Sequence, residues 1–117
     1  MTERTITVSG KEVTFRSSAA IPRLYRVRFG RDIFRDLSAL EKSFDTKSKK
    51  GGNFDITDLE VFENIAYIMA KHADKTIPDN IDEWLENFEM FSIYEVLPEI
   101  LDMWNINMKT DVVPKKK

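Results

Sequence analysis

His72 is the one histidine among 117 residues, and cysteine is absent. Imidazole and thiolate clusters are therefore excluded as metal sites, and so is a nucleophilic triad that needs a histidine beyond this one. His72 falls in the last turn of a helical pattern, where a cation complements the helix dipole. The acidic run Asp74, Asp79, Asp82, Glu83 and Glu86 does not follow the D-x-[DN]-x-[DN]-G spacing of a calcium loop. Asn53, Asp55 and Thr57 begin like one but lack its glycine. Gly51-Gly52 has neither the Gly-x-x-x-x-Gly-Lys-Ser/Thr spacing nor the preceding strand of a phosphate-binding loop. No spacing singles out two of the 20 carboxylates for acid–base work, and acidic helix starts account for most of them. These residues predict no catalytic site, no metal and no cofactor: the chain is not expected to be an enzyme.

Arg23, Arg26, Arg28, Arg31 and Arg35 form the other conspicuous set. They read either as a charged contact face or as solvated side chains of an amphipathic helix. Asp32 and Asp36 interleave with them, making Arg28–Asp32 an attractive and Arg31–Arg35 a repulsive i,i+4 pair. The charge is unevenly spread along the chain. Residues 1–50 carry 12 Lys/Arg against 6 Asp/Glu, residues 51–108 carry 2 against 13, and residues 109–117 carry 4 against 1. Such a chain either folds its two halves onto each other, or meets a second copy or another charged partner head to tail.

The elements that must position these residues follow from composition and periodicity. With 42% apolar and 32% charged residues and 13 aromatics, the length suits one soluble domain with one core. No apolar run reaches the roughly 18–20 residues of a membrane span, and Met1-Thr2-Glu3-Arg4 does not open a signal peptide. Thr5–Val8 and Glu12–Phe15 alternate with period two, predicting a hairpin over 4–16. A type II′ turn at Gly10-Lys11 would pair Val8 with Val13, Thr7 with Thr14 and Ile6 with Phe15. Helices are expected over about 20–44, 57–73, 81–88 and 93–105. The first is interrupted or bent at Gly30 and carries the stripe Phe29, Ile33, Leu37, Leu40 and Phe44. Residues 45–55 read as a mobile loop. Thr57 and Glu60 form a capping box stapled by Ile56 and Val61, ahead of the face Leu59, Phe62, Ile65, Ala66 and Met69. Asn80 with Glu83 and Ser92 with Glu95 open the next two helices, and Pro98 should kink the last.

The fold class expected is α+β: a hairpin packed on four to five helices as a single domain over 1–108, followed by a flexible basic tail over 109–117. Between Ile93 and Met108, ten of sixteen positions are apolar, more than one stripe requires. Either the last helix is buried on two sides, or its face Leu97, Leu101, Trp104 and Met108 serves a partner.

Two blocks, Arg28-Phe29-Gly30-Arg31-Asp32-Ile33-Phe34-Arg35-Asp36-Leu37 and Trp104-Asn105-Ile106-Asn107-Met108-Lys109-Thr110…Pro114-Lys115-Lys116-Lys117, resemble the tail assembly chaperones of long, non-contractile-tailed phages and prophages of Gram-positive hosts. Asp111-Val112-Val113 departs from the Thr-Ser-like residues of that pattern. The resemblance implies a non-catalytic assembly factor that binds the tape measure protein and helps the tail tube protein polymerise around it. It would act in the host cytoplasm and be absent from the mature virion. It also implies a longer product made by frameshifting near Lys115-Lys116-Lys117. The alternative is a small nucleic-acid-binding regulator that reads with the Arg23–Arg35 helix. An overall pI of about 5.5 weighs against it, so neither nucleic acid nor membrane is expected as a partner, whereas self-association is.

Overall fold

Alternating polar and β-branched residues form two antiparallel strands, β1 (Thr2–Val8) and β2 (Lys11–Ser17). The computed structural model describes the backbone of residues 2–50 and 54–106 and, except for residues 45–50, their side chains. Met108, the 109–117 tail and Gly51-Gly52-Asn53 lie outside the described residues.

The hairpin turns at Ser9-Gly10, one residue earlier than its glycine suggests. Both residues have positive φ, 55° and 81°, which makes a type I′ turn rather than II′. The pairs are therefore Val8 with Lys11, Ile6 with Val13 and Thr5 with Thr14. Each partner differs by two residues from the expected register, and a shift of two leaves every side chain on its face. Val8, Val13 and Phe15 accordingly enter the core, while the Thr5 and Thr14 hydroxyls meet at 2.8 Å on the other side.

Five helices follow: α1 (Ala20–Phe29), α2 (Ile33–Lys50), α3 (Ile56–Ala73), α4 (Ile81–Leu85) and α5 (Ile93–Met103). The fold is α+β. Gly30 ends α1 in the left-handed conformation, with φ 70° and its N–H on the Arg26 carbonyl at 2.7 Å. The expected 20–44 helix is thus two helices, and α2 continues through Asp45–Lys50, where a loop was expected. That stretch holds neither Gly nor Pro, and its three lysines are good helix formers.

Helix α3 starts two residues earlier than its capping box suggests. Asp55, not Thr57, is the N-cap, its carboxylate accepting from Asp58 N–H at 2.8 Å. Ile56 is left outside the core and Phe54 buries instead. Helices α4 and α5 begin at the expected caps, Asn80 and Ser92. Helix α4 closes at Leu85, short of the expected Phe88, and α5 runs on across Pro98.

The core gathers around α3, whose residues Ile65–Ala70 are buried without a break. A helix buried all round has neighbours on every side, here β2, α1, α2, α4 and α5. At one end Trp84 meets the rings of Tyr67, Phe88 and Phe91. Arg4 of β1 bridges Glu99 and Asp102 of α5 at 2.8 and 2.9 Å, tying the chain's basic start to its acidic second half.

Candidate functional site

The expected partner face of α5 divides on inspection. Leu97 and Leu101 are fully buried core residues, which corrects their assignment to an interface; Met108 lies outside the described residues. The surplus of apolar residues in α5 goes into the core on two sides, with Ile93, Val96, Ile100 and Met103 also buried. Of the described members of the expected face, Leu97, Leu101 and Trp104, only Trp104 reaches the surface. Its indole N–H points at Met69 Sδ, 3.4 Å away, and its ring meets Phe34 edge-on with centroids 5.6 Å apart.

Trp104 is positioned by the way α5 ends. Asn105 takes φ 61°, its N–H reaches the Asp102 carbonyl at 3.0 Å, and Ile106 N–H reaches Leu101 O at 2.8 Å. This pair of bonds is a Schellman ending with Asn in the left-handed position. It stops the helix at Met103, short of the expected 105.

At the opposite end of α5, Tyr94 contacts Phe44 and Phe54, with ring centroids 6.1 and 5.5 Å apart. Phe34 opens α2 and meets the end of α5; Phe44 lies ten residues on and meets its start. The two helices are therefore antiparallel, and their seam runs about 15 Å. Phe34 at 50% and Tyr94 at 47% exposure mark its two ends. Half-exposed aromatics of this kind offer large contact area at low entropic cost.

The five arginines do not share one helix, because Gly30 separates Arg23, Arg26 and Arg28 from Arg31 and Arg35. Arg28 donates to the Asp79 carbonyl at 2.8 Å and lies over the Tyr67 ring at 5.0 Å. Arg31 grips Asp36 with two bonds of 2.7 and 2.8 Å, and Arg28 is engaged by the Asp79 carbonyl in place of the attraction to Asp32 expected at i,i+4. Arg23, Arg26 and Arg35 are exposed. A continuous Arg23–Arg35 reading helix is absent.

Asp36 was not singled out by the sequence. It is 4% exposed and also accepts from the Tyr25 hydroxyl at 2.7 Å. Burial pushes its carboxyl up, but the hydrogen bonds from Arg31 and Tyr25 outweigh that and hold it below the ordinary carboxylate value. The triad locks α1 to the first turn of α2. Only the break at Gly30 lets Arg31 turn back to a residue five positions on, so no helical spacing announces it.

His72 sits beside Ser18, Nε2 to Oγ 3.2 Å. Desolvation, then the nearby Arg16 and Lys75, lower its pKa. Asp79 pairs with Lys71 at 2.8 Å, and Asp82 and Glu83 occupy the first turn of α4, as acidic residues at a helix start do. Among the described residues no three of His, Asp and Glu are grouped to hold a metal ion, and no helix is long and apolar enough to cross a membrane. Compared with protein-family models, curated proteins and solved structures, the chain finds no match in any of the three.

Proposed function

We propose that the chain is a tail assembly chaperone of a long, non-contractile-tailed phage or prophage. In this reading it is non-catalytic, binds the tape measure protein and assists tail tube polymerisation in the cytoplasm of a Gram-positive host, without entering the mature virion. One observation carries the proposal: the two blocks behind the resemblance, some seventy residues apart in the sequence, touch in the fold. Phe34 of the first packs edge-on against Trp104, the opening residue of the second.

The contact lies on the α2–α5 seam, where an amphipathic client helix would find Phe34 at one end and Tyr94 at the other. A helix spanning that distance presents apolar side chains to both over about ten residues. Sequencing outward from the gene tests the reading. A tail tube gene upstream and a very long tape measure gene downstream are expected; a neighbourhood without tail genes would overturn it.

A further inference from the structure

We infer that the furrow between α1 and α3, on a surface separate from the α2–α5 seam, is a docking site for an acidic amphipathic helix of a partner protein. The furrow encloses about 710 Å³. Leu24 and Val27, one turn apart on α1, and Ile68 of α3 supply its apolar floor, and Val27 is 70% exposed. An isolated apolar residue on a surface needs no explanation, but a floor of this kind inside a concave furrow has the form that receives side chains of a third helix.

The rim says which helix. Arg28, Lys71 and Lys75 stand along it, and no carboxylate lines the furrow. Residues 51–108 carry 13 acidic side chains and just two cationic ones, and those two are Lys71 and Lys75. Both cations of the acidic half thus border one apolar furrow, joined there by an arginine from the basic half.

Two of the three charges are held in place. Arg28 is fixed over Tyr67 and on the Asp79 carbonyl, which leaves further guanidinium donors for a ligand. Lys71 donates to the Ile77 carbonyl and pairs with Asp79 Oδ1 at 2.8 Å. Asp79 and Asp74 both act on Lys71, so two carboxylates stand against three cations and the rim keeps a net positive charge. A helix with leucines along one face and glutamates flanking them matches floor and rim together, the leucines filling the furrow and the carboxylates reaching the cations. A furrow between two helices favours an inserted helix over a lipid surface, which would call for apolar side chains standing proud of the protein.

The probe is a fluorescently labelled synthetic helix with leucines at i, i+4 and i+7 and glutamates on both flanks, titrated with the full chain at low and high salt. Saturable binding is expected, weakened by salt. It should be weakened about tenfold or more by Val27→Glu or Lys75→Glu; both positions are exposed, and melts of both variants verify that they fold. A matched peptide with lysine in place of glutamate should bind at least about tenfold more weakly. Absence of saturable binding, equal affinity for the two peptides, or indifference to Val27→Glu would overturn the assignment. So would light scattering that shows a dimer broken by Val27→Glu, since the occupant would then be a second copy. Co-sedimentation with anionic vesicles that Val27→Glu abolishes would likewise reassign the furrow to lipid. The assay uses no tape measure protein, so its failure leaves the tail-assembly reading to its own test.

Discussion

Asp36 concentrates three side-chain hydrogen bonds on one buried carboxylate. Its carboxylate takes one bond from the Tyr25 hydroxyl and two from Arg31, and charge-assisted bonds of this kind contribute more than neutral ones. Asp36→Asn keeps the shape and loses the charge. The expected cost is about 2 kcal/mol in urea unfolding, and an unchanged midpoint would contradict the role given to the triad. The pH dependence follows from the direction of the shift. A carboxyl held below its ordinary 3.8 contributes fully above that pH and loses its contribution as pH falls through the lowered value. His72, held below its ordinary 6.5, takes up its proton in the unfolded chain first. Stability therefore drops as pH falls below about 6.5, well above the Asp36 window. Thermal melts across pH should show both declines; Asp74 and Asp79 are also held below the ordinary carboxylate value and share the lower one, so Asp36→Asn should shrink that decline and leave the upper one unchanged. The division between core and seam is also tested at this scale, by Leu101 and Phe34. Leu101→Ala should cost roughly 3 kcal/mol as a core cavity, whereas Phe34→Glu, on a half-exposed ring, should cost well under that. Equal melts for the two would contradict the division between core and seam.

Helix ends decide how the elements meet. Gly30 lies in the left-handed region with no atom crowding the place a Cβ would take, so Gly30→Ala tests the backbone alone. About 1 kcal/mol of destabilisation is expected, measured by thermal unfolding; a neutral result would mean that the α1–α2 corner relaxes freely. At this scale the sequence was legible wherever side-chain period and cap chemistry agreed. The stripe Ile33, Leu37 and Leu40 is buried, and Asn80 and Ser92 cap the helices they precede. It misled where two signals competed locally. Asp55 and Thr57 are both good N-caps and the earlier one won; Ser9-Gly10 and Gly10-Lys11 are both two-residue turns whose types I′ and II′ suit the strand twist equally, and the chain takes the first. The end of α5 was present in Asn105-Ile106, a left-handed residue followed by an apolar one, but the apolar run through Trp104 carried the expected helix two residues too far, to 105. That same surplus pointed to a partner face because periodicity cannot separate a helix buried on two sides from one with a free side.

The charged halves of the molecule do meet in the fold. Arg4 pairs with Glu99 and Asp102, and Arg28 with the Asp79 carbonyl. Part of the asymmetry that suggested contact between copies is thus taken up within one chain. The Asp36 triad and the α2–α5 seam could not be read from the sequence, because both depend on the corner at Gly30 and on the antiparallel placing of helices far apart in it. Among the described residues two exposed surfaces have the chemistry of recognition: the aromatic seam marked by Phe34 and Tyr94, and the cation-rimmed furrow beside Val27. The proposal that this chain keeps a tape measure protein assembly-competent rests on the first of them. Co-expression with a tape measure protein from the tail gene cluster that the proposal expects around the gene, followed by co-purification from the soluble fraction, tests it most directly. With the wild-type chain the tape measure should stay soluble and co-elute, and with Phe34→Glu, whose own melt should be nearly unchanged, it should be lost to the pellet. A tape measure protein equally soluble without the chain, or one that co-elutes undiminished with Phe34→Glu, would contradict the account.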